Sequence, residues 1–200
     1  MKKMMWLGVL LLSAATVANA QESRQDASVS VIGVTGFDTN GLLVHPMHQT
    51  ATLGVLGSYR YDLTPRSQLE LNYNFSQHSF KYNTVTVNNG EVHAKQQELS
   101  GAYVYTRSYR NWNPFVEVGI GVNIYTPILD TGTHQLGAKQ NSNIGALFGA
   151  GVAYELSPSW DIRAEYRGMV LKTPDFGQSY FKTNKYFLSE TPSIGVAYHF

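Results

Sequence analysis

The residues with the most chemistry in this chain are three arginines and five glutamates: Arg60, Arg163 and Arg167, with Glu70, Glu98, Glu117, Glu155 and Glu165. Each lies in a stretch where apolar and polar residues alternate, and each takes the polar side. Such charges tolerate burial only when opposite partners meet. If the strands carrying them surround one narrow space, a salt-bridge network should fill it. The functional variant is a small pore whose pairs exchange partners. A nucleophile is harder to build. His45, His48, Asp130, His134, Asp175 and Ser179 are loop residues of the right type, but a triad needs them on mutually facing strand ends. No His-x-Ser pair stands at a strand end, so solvated side chains are expected and no catalytic residue is assigned. His45 and His48 flank Pro46 and Met47 at a spacing that can suit a metal. With no Cys or carboxylate beside them, neither metal nor cofactor is expected. His93 and His199 have no evident partner in the sequence.

The elements that must position these side chains are strands, and period-two alternation marks eight of them. The first, roughly 28–36, sets Val29 and Val31 against serines before Ile32 and Val34 blur the phase. The second, 50–62, carries Leu53, Val55, Tyr59 and Tyr61 on one face and Arg60 on the other. The third opposes Leu69, Leu71, Tyr73 and Phe75 to Glu70, and the fourth opposes Leu99, Tyr103 and Tyr105 to Glu98. The fifth alternates Val116, Val118, Ile120, Val122 and Ile124 with Glu117 and glycines. The sixth sets Ile144, Phe148, Val152 and Tyr154 against Glu155 and glycines. The seventh opposes Trp160, Ile162, Ala164, Tyr166 and Val170 to Asp161, Arg163, Glu165 and Arg167. The eighth, near 185–200, ends with Ile194, Val196, Tyr198 and Phe200 facing one way and Ser193, Gly195, Ala197 and His199 the other.

Connections between these strands alternate short and long. Pro46, Pro65, Pro114, Pro127, Pro158 and Pro174 are expected in them, where a missing N–H costs least. Pro192, close to Glu190, predicts a bulge or a late start in the eighth strand. Asn89-Gly90, between alternating residues at 80–87 and 91–95, predicts a type I′ hairpin that projects beyond bilayer-spanning length. Its edge would be open to pairing with a foreign strand.

Composition narrows the class. Met1-Lys2-Lys3, an apolar run from Met4 to Val17 and Ala18-Asn19-Ala20 read as a signal peptide over 1–20, leaving 21–200 as one domain. Without Lys2 and Lys3, 13 of the 15 basic residues remain against 14 acidic ones, which excludes a strong electrostatic nucleic-acid binder. With no Cys, disulfides and a lipoprotein anchor are excluded. No apolar run in residues 21–200 is long enough for a membrane helix, so only a closed barrel could span a bilayer.

The faces decide between soluble and membrane barrels. A soluble barrel keeps its charge outside; here one face is apolar and the other carries the arginines, glutamates and many glycines. Tyr59, Tyr61, Tyr103, Tyr105, Trp112, Tyr154, Trp160, Tyr198 and Phe200 are expected to form one aromatic girdle near the short turns. Phe75, Phe80, Tyr125, Tyr180 and Tyr186 are expected to form the other. Together with the Tyr198-His199-Phe200 ending, this pattern resembles the small OmpA/OmpX-type outer-membrane β-barrel family. The resemblance implies an eight-stranded antiparallel up-and-down transmembrane β-barrel in the outer membrane of a Gram-negative bacterium. It also implies that Ile194, Val196, Tyr198 and Phe200 act as an assembly signal for the barrel-insertion machinery. Outer-membrane lipid and lipopolysaccharide are the expected surroundings, and a monomer the expected state. A non-enzymatic role in envelope integrity or surface interaction through the outer loops follows. A small-conductance pore is the alternative, and a lipid-modifying enzyme the remote one.

Overall fold

A strand whose alternate residues are apolar must place that face in an apolar medium, and one with charges on the other face must give them partners. The computed structural model, described for residues 24–36, 38, 44–84, 90–128, 139–177 and 184–200, meets both demands with one closed sheet. Its strands are β1 (Gln25–Gly36), β2 (Val44–Gln49), β3 (Thr52–Thr64), β4 (Ser67–Thr84), β5 (Gly90–Thr106), β6 (Trp112–Pro127), β7 (Asn141–Ser157), β8 (Trp160–Lys172) and β9 (Tyr186–His199). Each of β3 to β8 pairs antiparallel with the next. β1 lies between β3 and β9 and closes an eight-stranded barrel. β2 continues the line of β3 upward along the same edge of β4, whose other edge carries β5.

Alternation then sorts the side chains. Val31, Leu53, Val118, Ile120, Ile144 and Ile194 are each more than half exposed on the outer wall. Asp26, Arg60, Glu70, Glu98, Glu117, Arg163, Glu165 and Arg167 are buried inside. That inversion of a soluble fold is the arrangement hydrocarbon requires. Two tight turns, Thr64–Ser67 and Ser157–Trp160, lie at the end of the barrel that also holds Gln25 and Phe200. The short turns make this the inner end of the barrel, and the long connections make the opposite end the outer one. Every lysine among the described residues (Lys81, Lys95, Lys139, Lys172 and Lys185) lies toward the opposite, outer end. The arginines are in the lumen or at the inner end.

Several expectations are corrected. β1 starts at Gln25 rather than near Ser28, so Asp26 joins the inward row; Ile32 and Val34 also face inward, against Leu56. The segment around His45-Pro46-Met47-His48 is strand, not loop, because the long β4 offers it a paired edge. Pro46 falls where the β2–β4 register shifts, so no ladder donor is required of it. Pro114 and Pro127 are also within a strand, near the two ends of β6. The β4–β5 hairpin does project, but Gly90 already pairs with Tyr82, with Asn83 and Thr84 still to follow on β4. A two-residue turn at Asn89-Gly90 therefore does not join these strands; residues 85–89 lie outside those described. Phe80 and Tyr125 point inward and are buried, so they are not part of an outer girdle; Phe75 and Tyr186 face outward, and Tyr180 lies outside the described residues.

Pro192 makes neither a bulge nor a late start. The β8–β9 ladder runs through the Tyr166–Pro192 pair without a shift. The β1–β9 ladder breaks between Ile32–Ser193 and Thr35–Glu190 and resumes in the same register. Proline has no N–H to give β1, so the seam between the first and last strands is thinned at that level. The Gly33 amide, which faces β9, should therefore exchange with deuterium sooner than those at the centre of the β6–β7 ladder in nanodiscs. Equal protection would contradict a weakened seam. Just above the gap, Glu190 faces outward and accepts a hydrogen bond from the Tyr166 hydroxyl.

Candidate functional site in the barrel lumen

From the inner end upward, the lumen has three levels. The lowest is an open vestibule of about 310 Å³ whose lining includes Asp62, Arg110, Glu155, Asp161 and His199. Here His199 Nε2 lies 2.8 Å from Asp161 Oδ2, and Glu155 sits in this wall.

Above it the charges converge. Arg163 donates to Asp26 at 3.1 Å, and Arg60 donates to Glu70 while its Nη2 stands 3.8 Å from Glu165. Arg167 reaches across the barrel, donating to Glu98 at 2.9 Å and to the Ser100 hydroxyl at 3.0 Å. Its Nε is also 3.3 Å from carboxylate oxygens of both Glu117 and Glu165. The Phe115 ring lies beneath Arg60, 4.3 Å from the guanidinium carbon. β7 and β9 supply space rather than charge. Gly149 pairs with both Glu117 and Arg167, and a Cβ there would strike the Glu117 carboxylate. Oxygens of Glu70, Glu117 and Glu165 lie within 4.8 Å of one another, a spacing a cation could use. Arg60 and Arg167 already face those carboxylates, so the cluster is a set of ion pairs. An eight-stranded barrel is just wide enough for its own side chains, and these ion pairs occupy its middle.

The third level is apolar. Phe80, Val92, Ala94, Tyr125, Leu171 and Phe187 form a buried cluster, and Phe176, carried by the β8–β9 connection, sits fully buried among them. His78 packs edge-on against Phe80 and Tyr125 at centroid distances of 4.8 and 6.1 Å.

A polar, self-plugged interior and an apolar exterior on eight antiparallel strands point to one kind of protein. Residues 7–200 match the model of the outer membrane protein beta-barrel domain. The chain belongs to that family. No curated protein matches the sequence closely. Among solved structures, this outer-membrane barrel is similar to the Neisserial surface protein NspA, at 14% identity over 92% of this chain and 100% of that one, with a TM-score of 0.61. It is also similar to OprG of Pseudomonas aeruginosa, at 14% identity over 89% and 96%, TM-score 0.68. Ail of Yersinia pestis, solved with the heparin analogue sucrose octasulfate, is similar at 15% identity over 88% and 99%, TM-score 0.51. At such identities these likenesses establish the fold.

The rim residues do not assemble into a catalytic group among the described residues. Asp130, His134 and Ser179 lie outside those residues, as does the side chain of His45. His48 pairs with Asp38, and the Asp175 carboxylate accepts hydrogen bonds from the Asn141 amide and the Gly177 N–H, both at 3.0 Å. His93 lies 3.4 Å from Glu91. Asp26, absent from the expected charge network, carries the same inward parity as Ser28 and Ser30; extending that parity two residues back would have found it.

Proposed function

We propose that this barrel is a non-enzymatic protein of the outer-membrane envelope that acts through its outer end. The observation that carries the reading is the pairing of a plugged lumen with strands that outrun the bilayer. β4 and β5 stay paired up to Tyr82 and Gly90, and β2 widens that extension on one side. The exposed Lys81, Lys95 and Lys172 stand on the outer wall above the apolar belt, placed to meet phosphates of lipopolysaccharide or another anionic surface glycan. Export with removal of residues 1–20, a monomeric state, and use of the Ile194, Val196, Tyr198 and Phe200 face by the insertion machinery belong to the same reading.

Two measurements test it. Planar-bilayer recordings of the purified protein should show no steady, reproducible channel; regular unitary currents would favour the small-pore alternative. Exchanging Lys81, Lys95 and Lys172 for glutamate should weaken binding to lipopolysaccharide in nanodiscs, most at low salt. Unchanged binding would remove the outer wall from the mechanism.

A further inference from the structure

The outermost level of the lumen contains a side chain that the barrel does not need there. Phe176 belongs to a connection, yet it is fully buried, edge-on to Phe80 with centroids 5.4 Å apart. Its backbone has φ 46° and the next residue, Gly177, has φ 73°. The left-handed region is costly for a bulky aromatic residue, and strain of this kind persists where the surroundings hold it in place. Hydrogen bonds tie the described part of the connection down: the Asp175 carboxylate accepts from the Asn141 amide and the Gly177 N–H, and the Lys139 N–H donates to the Phe176 carbonyl at 2.9 Å.

The side chains that pack on Phe80 and Tyr125 in the same cluster carry unanswered polarity. Both ring nitrogens of His78, the Tyr125 hydroxyl and the Gln96 side-chain oxygen are buried and make no hydrogen bond among the described residues. Buried donors and acceptors are normally satisfied, and clusters that are not call for an explanation. An apolar box with a few convergent polar groups is the usual design of a small-molecule site.

We propose that this chamber is a ligand pocket that Phe176 occupies from its own chain, and that its external ligand is a small planar aromatic molecule bearing a hydroxyl or similar hydrogen-bonding group. Phe176 mimics the ring of that ligand but brings no polar substituent, which leaves the His78 ring nitrogens, the Tyr125 hydroxyl and the Gln96 side-chain oxygen without a hydrogen bond among the described residues. The ligand takes the place of the Phe176 ring, and the charged level below stays shut. The site is therefore one of capture, not passage.

The test uses 2-naphthol and the folded protein in nanodiscs, with equilibrium dialysis against empty nanodiscs. Native protein pays a population penalty for opening, so Phe176→Ala should bind one equivalent saturably and at least about tenfold more tightly. Adding Ala94→Phe, which refills the box, should abolish the gain. Equal binding by Phe176→Ala and native protein overturns the proposal; so does a gain that survives Ala94→Phe, which would be partitioning into lipid. Should Phe176→Ala fail to give the heat-modifiable folded form, Asp175→Ala carries the test by releasing the loop. Tighter binding by that variant supports the pocket, and unchanged binding overturns it.

Discussion

Replacing Arg167 with methionine is expected to destabilise the barrel by roughly 3–5 kcal/mol, the usual cost of removing one partner from a buried ion pair. The side chain is 1% exposed and faces Glu98, Glu117 and Glu165 together. Methionine fills much of the volume but leaves three carboxylates facing one another with fewer counter-charges, and Ser100 loses its guanidinium partner. Adding Glu98→Leu should recover only part of the loss, because Glu117 and Glu165 still lack the guanidinium they share. Urea titrations in lipid vesicles, followed by heat-modifiable mobility, measure both variants. Native-like stability of the single variant would mean that the ion pairs do not hold the lumen together.

The second large effect is on the opposite wall. Ile120 is 70% exposed near the centre of β6, between Val118 and Val122 on the same face. In water such exposure would be neutral to substitution, but in hydrocarbon an arginine near the midplane costs roughly 2–4 kcal/mol. Ile120→Arg should therefore lower unfolding stability in vesicles by that amount. Tyr186→Arg, an equally exposed position at the outer end of β9, should change it little. Equal effects at the two positions would contradict the assigned apolar belt.

Much of this architecture was legible because a barrel wall imposes one rule, parity, on every strand. Glu70, Glu98, Glu117, Glu165 and Arg167 were placed by it without long-range information. Phe80 and Tyr125 show where another argument displaced it. Both share the inward parity of their strands, with Asn74 and Ser76 in one case and Glu117 and Asn123 in the other, yet an aromatic near a long loop suggests a girdle. Parity was the better guide. β2 and the plugging role of Phe176 were not legible, because neither segment alternates and each takes its conformation from a distant surface: the upper edge of β4, or the mouth of the closed ring. Partner choice within the network was also hidden, since Arg167 meets Glu98 from across the lumen.

The segregation of the two basic residue types makes the outer surface and the interior chemically separable. Acylating reagents modify primary amines and leave guanidinium groups alone, so a membrane-impermeant ester applied to intact cells would strip positive charge from Lys81, Lys95, Lys139, Lys172 and Lys185 while the arginine pairs inside kept theirs. The same labelling pattern, read by mass spectrometry, would report which way round the barrel sits in the membrane without any change to its sequence.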